Sequence, residues 1–258
     1  MSLPDPGTLT LLLGASLFAG FIDAVVGGGG LILIPAMLVA IPTLPPATAL
    51  GTNKVAAFAG TIAAAINYLR KIPIPKRPVA IAMATAFVLS AVGALLATVI
   101  DPSVMRPVII VAVVAVGVYV ALRPEFGKDA AVLPRATTRW YLVSLIAAAV
   151  IGFYDGVFGP GTGMFLIIAF TSILGTSFLT SAAAAKVVNV ATNAGALLIF
   201  GLGGHIWLTL GLVLAVANIA GSMLGSRLVL AKGTALVRAA LLIIVVALAI
   251  KLTIDQFE

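Results

Sequence analysis

The feature that most constrains this chain is a series of long stretches with almost no charged residue. A transmembrane helix needs about 20 consecutive apolar residues, and eight stretches approach or exceed that length. They are Leu9–Ala40, Ala47–Leu69, Val79–Ile100, Pro107–Leu122, Trp140–Leu174, Phe178–Phe200, Ile206–Ser226 and Ala235–Leu252. Only 9% of the residues are charged, whereas an ordinary soluble domain carries about 25%. The sequence therefore predicts an all-α, polytopic membrane protein.

Composition and missing motifs exclude several other classes of protein. The absence of Cys leaves no disulfide and no thiolate metal site. A net charge of +7 is low for nucleic-acid binding in so apolar a chain, and fits membrane orientation better. There is no H-E-x-x-H motif, Cys/His cluster, P-loop lysine or rhomboid-like serine. We therefore expect no enzyme activity, no cofactor, no metal and no nucleic-acid partner. Residues 1–10 contain no Lys or Arg, so the first run is expected to belong to the mature protein.

An internal repeat relates two halves of the chain at a constant spacing of 132 residues. The cluster Gly27–Gly30, preceded by Asp23, has its counterpart in Gly159–Gly163, preceded by Asp155. Other matches include Thr48 with Thr180, Lys54 with Lys186, Ser90 with Ser222, Gly93 with Gly225, and Arg106 with Arg238. Chance rarely matches charged residues at one spacing in an apolar chain. We predict a first membrane repeat at 1–122, a cytoplasmic linker at 123–138 and a second membrane repeat at 139–258.

Basic residues indicate how the two repeats are oriented. The connection 70–77 holds four of them, whereas its counterpart in the second repeat holds only His205. The next connection shows the reverse, with Asp101 and Arg106 in the first repeat and three basic residues at 227–238 in the second. By the positive-inside rule, the 70–77 connection, the linker and the 227–238 connection face the cytoplasm. Equivalent loops then face opposite sides, which predicts inverted repeats with both termini outside.

The first run of each repeat has an unusual length. Leu9–Ala40 and Trp140–Leu174 have 32 and 35 residues, whereas crossing the bilayer and returning takes about 40. The orientation of the loops requires each run to begin and end on the same side. We therefore predict, in each repeat, a Gly-broken intramembrane helical hairpin followed by three transmembrane helices. Irregular backbone at membrane depth persists only when it is buried in protein or lines a polar cavity.

The helix N-termini that follow the two breaks are candidates for anion binding. Such an end carries bare N–H donors and a partial positive charge, and glycine lets a ligand approach the backbone closely. Close helix packing through small residues is the structural alternative. Broken helices of inverted repeats that meet near the midplane recur in secondary transporters. The candidate substrate-binding positions here are Gly28, Gly29, Gly30, Gly161, Thr162 and Gly163.

Two lysines lie inside apolar runs at the same repeat position. Lys54 and Lys186 stand about seven residues into their runs, so at about 1.5 Å per residue each is roughly 10 Å deep. A lysine at that depth can snorkel to the interface, but ionisable residues inside a membrane are functional candidates by default. Lys186, Asn189 and Asn193 share one helix face, and Asn53 adjoins Lys54. We predict that these five side chains take part in substrate binding.

Two aspartates precede the glycine breaks. Asp23 and Asp155 occupy equivalent positions in the two repeats, inside stretches that are otherwise apolar. Three roles remain open for them: ion pairing with the lysines, capping of the broken helices, and relay of protons. Because a charged residue is costly in the membrane, each is expected to have a partner.

With these motifs assembled, the chain resembles the TauE/SafE family of sulfite and organosulfur anion transporters. The resemblance rests on Asp23–Gly30 followed by Pro35, Ala49–Lys54, Asp155–Gly163, Ala185–Asn189 with Asn193, and Gly203–Ile206. It covers nearly the whole chain, the linker excepted. It implies a multi-pass permease of the bacterial cytoplasmic (inner) membrane for a small sulfur-containing anion such as sulfite, thiosulfate or a sulfonate. The second copy has Pro160 and Thr162 where the first has only glycine, so the half-sites are not expected to be equivalent.

These observations predict a secondary transporter that holds a small anion near the membrane midplane. Glycine-rich helix N-termini and the two lysines bind the anion, and one repeat rocks against the other to alternate access. The expected partners are the anion and the lipid bilayer, and assembly as a homodimer is left open. An anion-selective channel is one alternative, and it requires a continuous polar stripe. A non-transporting membrane assembly subunit is the other, and it predicts tolerance of Lys186→Ala.

Overall fold

The computed structural model describes residues 3–121, 138–173 and 175–233. All regular secondary structure in these ranges is helical. The helices are α1 (Pro6–Val26), α2 (Gly30–Ala40), α3 (Pro46–Leu69), α4 (Lys76–Val99), α5 (Pro102–Ala121), α6 (Thr138–Val157), α7 (Thr162–Ile168), α8 (Phe178–Leu202) and α9 (Leu208–Lys232). A π-helical turn, Ala169–Ile173, continues α7. The predicted linker, apart from Thr138, and the predicted last run, Ala235–Leu252, lie outside the described residues.

Five of the described helices are long and apolar enough to cross a membrane, namely α1, α3, α4, α8 and α9. They contain 21 to 25 residues and therefore extend about 31–38 Å, against a hydrocarbon core of about 30 Å. Their outward surfaces are apolar, with Leu95 of α4 52% exposed and Val216 of α9 71% exposed. Such surfaces suit lipid rather than water. The prediction of an all-α, polytopic membrane protein is confirmed.

Both glycine clusters interrupt the helical structure. Gly27 ends α1 with φ of +87°, and Gly159, at the equivalent position after α6, has φ of +88°. Glycine adopts this left-handed conformation with little steric cost. The chain turns there, so that α2 packs against α1 and α7 against α6. Each cluster is thus the tip of a helical hairpin.

The two arms of the first hairpin are unequal in length. The outgoing arm α1 has 21 residues and is long enough to cross the hydrocarbon core. The returning arm α2 has only 11, which corresponds to about 16 Å, or half of that core. The placement of the tip within the membrane stays a prediction.

The two halves of the chain interlock rather than pack side by side. Helix α4 packs mainly on α6 and α8, and its counterpart α9 packs mainly on α1 and α3. Small residues permit these approaches: a Cβ atom on Gly221 would lie 1.9 Å from the carbonyl oxygen of Leu17, and one on Gly156 would lie 2.0 Å from that of Ser90. The main contacts of α4 are therefore matched by those of α9, its counterpart at the 132-residue spacing. The opposite orientation of the repeats in the membrane stays a prediction.

Candidate functional site

The two hairpin tips meet each other in the interior of the protein. The backbone N–H of Met164 donates to the carbonyl oxygen of Gly27 at 3.3 Å. A Cβ atom on Gly27 would lie 2.3 Å from the carbonyl carbon of Gly163, so no side chain fits between the tips. Helices α3 and α8, which pack on each other, run beside this contact. The two breaks thus form one structural unit.

Two buried ion pairs cross between the halves. The Nζ atom of Lys54 on α3 lies 2.6 Å from the carboxylate of Asp155 on α6, and both side chains are 2% exposed. The Nζ atom of Lys186 on α8 lies 2.7 Å from the carboxylate of Asp23 on α1, which is 13% exposed. Lys186 also donates to the carbonyl oxygen of Asp23. Each lysine therefore neutralises the aspartate of the opposite half, and neither snorkels to the surface.

The surroundings of the two aspartates differ in hydrogen-bond chemistry. Asp155 Oδ1 lies 2.6 Å from Thr162 Oγ1, and a hydroxyl can either donate or accept. Asp23 Oδ1 accepts from the backbone N–H of Gly29 at 3.4 Å, and Thr61 donates to its other oxygen at 3.4 Å. The Asp23 carboxylate thus caps the first break as well as pairing with Lys186. The inequivalence expected from Thr162 is present in the geometry.

A small cavity lies between the tips and the two central helices. The space open to the centre of a water molecule is about 20 Å³, and about 10–15 Å³ is enough for one water. Asn189 and Asn193 line it near the middle of α8, and Ala57 and Thr61 near the middle of α3. The cavity therefore lies level with the centres of two long helices that pack on each other.

Several hydrogen-bond donors at the cavity have no partner within the described part of the chain. Lys54 makes a single bond there, to Asp155, although an ammonium has three donors. The side chain of Asn53 is 5% exposed and makes no bond to the described residues. The backbone N–H groups of Gly30 and Gly163, in the first turns of α2 and α7, likewise donate to no described residue. Residues with unpartnered donors, from three elements, thus line one space.

The charges around the cavity cancel when all four groups are ionised. Asp23 and Asp155 balance Lys54 and Lys186, and the remaining lining is uncharged. The donors that face the cavity are therefore amides, an already paired ammonium and the partial positive charges of helix ends. Within the described ranges, no group of three or more His, Asp or Glu side chains could hold a metal ion.

The structure brings most of the residues predicted from sequence to this cavity, but not all of them. The predicted residues that line it are Asp23, Gly30, Asn53, Lys54, Asp155, Thr162, Gly163, Asn189 and Asn193. Gly28, Gly29, Gly161 and Lys186 do not line it. Gly29 faces back toward α1, and Lys186 is fully buried against Asp23. Their predicted contact with substrate therefore has no support from the lining of the cavity in this conformation.

Four further residues line the cavity that the sequence analysis missed. They are Gly27, Ala57, Thr61 and Gly159. The repeat itself points to two of them, because Lys186, Asn189 and Asn193 correspond at the 132-residue spacing to Lys54, Ala57 and Thr61. The helix face that carries Asn189 and Asn193 on α8 thus has a counterpart on α3, where the matching residues are Ala57 and Thr61. Gly27 and Gly159 correspond in the same way.

Comparison with known proteins gives consistent relatives along almost the whole chain. The sequence model of the family described as "Sulfite exporter TauE/SafE" matches residues 12–252. The "Probable membrane transporter protein YfcA" of Escherichia coli K12 is 38% identical over 253 residues, which cover 98% of this chain and 92% of that protein. A "Probable membrane transporter protein" of Haemophilus influenzae is 36% identical over 248 residues, covering 96% and 95% of the two chains.

No solved structure matches this chain. The family and its named relatives are membrane transporters rather than enzymes. The interlocked hairpins, the polar cavity at their tips and these matches agree: the chain belongs to the TauE/SafE family, and it is a multi-pass membrane transporter.

Proposed function

We propose that this transporter carries a small sulfur-containing anion, such as sulfite, thiosulfate or a sulfonate, and that the cavity between the hairpin tips holds it. The observation that carries the proposal is the set of unpartnered donors from Lys54, Asn53, Gly30 and Gly163. A buried donor without a partner costs about 1–3 kcal/mol. An anion with several oxygens accepts hydrogen bonds from several directions at once and removes that cost.

The family description supports sulfur as the central atom of the substrate. Within that class, the geometry favours a compact anion over an extended one. The donors come from α2, α3 and α7 around a space that holds only one or two waters. An anion of four or five atoms fills such a site once the site opens slightly, whereas an anion with a long alkyl chain would extend beyond it.

We propose alternating access between the two halves as the transport mechanism. The space open to the centre of a water molecule is only about 20 Å³, so an anion of four or five atoms fits only after a movement. The crossing ion pairs connect α1 with α8 and α3 with α6, and rocking of one repeat against the other moves these contacts. Inverted repeats of the kind predicted from the loop charges supply the two symmetry-related states. Among the described residues the polar lining surrounds a single small cavity at the hairpin tips and the middle of α3 and α8, which argues against the alternative of a continuous channel.

Flux measurements on proteoliposomes test the proposal. Purified protein is expected to move radiolabelled sulfite, thiosulfate or methanesulfonate down a gradient, and Asn53→Ala is expected to weaken apparent affinity. Loss of a hydrogen bond to a charged group costs about 1.5–3 kcal/mol, or roughly 10–100-fold in affinity. Asn67→Ala is the matched control, because Asn67 lies on the same helix but bonds to Ser226 away from the cavity. Absence of flux for all three anions would contradict the proposal.

A further inference from the structure

The oxygens beside the second hairpin tip have fewer hydrogens than acceptors. Thr162 Oγ1 lies 2.6 Å from Asp155 Oδ1 and 2.9 Å from the carbonyl oxygen of Gly159. The hydroxyl has one hydrogen, so it can donate to only one of these oxygens at a time. The carbonyl oxygen of Gly159 accepts one other hydrogen bond, a long one of 3.4 Å from the backbone N–H of Thr162. One additional proton on Asp155 Oδ1 satisfies the whole group, because the acid then donates to Thr162 and Thr162 donates to Gly159.

The first hairpin has no equivalent arrangement. The position that matches Thr162 is Gly30, and Asp23 Oδ1 faces the backbone N–H of Gly29 instead. A backbone N–H can only donate, and a donor favours the ionised carboxylate. Lys186 contacts both the carboxylate and the carbonyl oxygen of Asp23. A hydroxyl that can accept a hydrogen bond thus lies 2.6 Å from Asp155 Oδ1. Asp23 Oδ1 faces a backbone N–H instead, and the Thr61 hydroxyl lies 3.4 Å from its other oxygen. A protonated carboxyl therefore has an acceptor at short range at Asp155 and not at Asp23.

Few other charged or titratable groups surround Asp155. Lys54 from α3 bonds its Oδ2 atom, and the hydroxyl of the adjacent Tyr154 donates to the carbonyl oxygen of Pro160. Helix α7 and the π-helical turn contain no charged residue. Helix α8 contributes only Lys186, which is paired with Asp23, and the charged residues of α4 lie at its exposed start. Lys54 is thus the one ionic partner of Asp155 among the described residues.

We propose that Asp155 binds a proton when the anion binds, so that this protein transports a proton together with its anion. The inference rests on the proposed function. A proton enters through the cavity and forms an O–H bond at Asp155 Oδ1, and Lys54 keeps its three hydrogens and its charge. Protonation leaves the ammonium without its counter-ion, and the anion takes that role through the donors that Lys54 already presents to the cavity. On the opposite side the anion and the proton leave, and the ion pair forms again.

The coupling follows from the cancelled charges of the cavity. An anion that entered the fully ionised site would add an unbalanced negative charge to a buried space, which is costly. Uptake of one proton with each anion makes the net charge of the occupied site one unit less negative than binding of the anion alone. The Asp23–Lys186 pair takes no part in this exchange, and Asp23 continues to bond the backbone N–H of Gly29 at the first hairpin tip.

Titration calorimetry on the full-length protein in detergent tests the coupling with sulfite, thiosulfate and methanesulfonate as probes. Thiosulfate and methanesulfonate stay ionised between pH 5 and 9, so any proton taken up belongs to the protein. We expect about one proton bound per anion, from titrations in two buffers of different protonation enthalpy. We also expect affinity to fall as the pH rises, by up to about tenfold per pH unit, as linkage of one proton requires.

Variants assign the proton to its residue. Asp155→Asn is expected to bind anion with no proton uptake and with an affinity independent of pH, whereas Asp23→Asn is expected to keep the proton uptake whatever its affinity. If Asp155→Asn does not fold, the proton count of the unmodified protein still decides the coupling. Binding without proton uptake overturns the proton proposal and leaves the anion site intact. No binding of any of the three anions overturns the proposed function itself.

Discussion

Replacement of Lys54 by methionine is expected to abolish anion flux and to lower the free energy of unfolding by about 3–5 kcal/mol. Lys54 is 2% exposed and is paired at 2.6 Å with an equally buried carboxylate. Removing one partner leaves the other charge buried without compensation, which is the costly way to break a buried pair. Flux into proteoliposomes and thermal unfolding in detergent measure the two effects. Lys71→Met is the control, because Lys71 is an exposed lysine in the connection after α3.

The double variant Lys54→Met/Asp155→Asn separates transport from stability. Neutralising both partners removes the uncompensated charge, so most of the lost stability is expected to return. Transport is expected to stay absent, because the cationic donors at the cavity are gone. Flux at the unmodified rate in either variant would contradict the assignment of Lys54 to the anion site.

Replacement of Gly27 by alanine is expected to separate the two hairpin tips and to reduce flux at least tenfold. The added Cβ would lie 2.3 Å from the carbonyl carbon of Gly163, and Gly27 has φ of +87°. The left-handed conformation costs a residue with a side chain about 1–2 kcal/mol, and overpacking adds about 1–3 kcal/mol. Flux and the midpoint of thermal unfolding measure the effect.

Gly175→Ala is the matched control for this variant. Gly175 also has a left-handed φ, of +64°, but nothing lies within 4 Å of an added Cβ. It is therefore expected to show only the cost of the backbone conformation and to transport normally. Equal behaviour of the two variants would mean that the contact between the tips is not required.

The helices and their interruptions could be predicted from the sequence because both are local properties. An apolar run of span length predicts a helix, and a cluster such as Gly27–Gly30 predicts a break. The pairing of the charges is not local. Lys54 could pair with Asp23 of its own half or with Asp155 of the other, and the 132-residue spacing allows both. The packing of α3 and α8 between the hairpins decides in favour of the crossed pairs.

The role of Lys186 shows the same limit on one helix. It shares a face with Asn189 and Asn193, so periodicity places all three toward one neighbour. In the structure this face of α8 meets two different features. Lys186 bonds the carbonyl oxygen and the carboxylate of Asp23, whereas Asn189 and Asn193 line the cavity. Helical periodicity predicts which side chains point to the same side of a helix, but not which group each of them contacts. The unequal roles of the two lysines therefore emerge only from the three-dimensional structure.

Binding of the transported anion in the cavity between the hairpin tips can be observed directly. Selenite, the selenium counterpart of sulfite, tests it directly, because selenium can be located by anomalous diffraction from crystals of the protein grown with the anion. We expect a selenium peak between the two tips, with an oxygen within about 3 Å of Lys54 Nζ and others facing the N–H groups of Gly30 and Gly163. A peak elsewhere in the protein, with none between the tips, would contradict it.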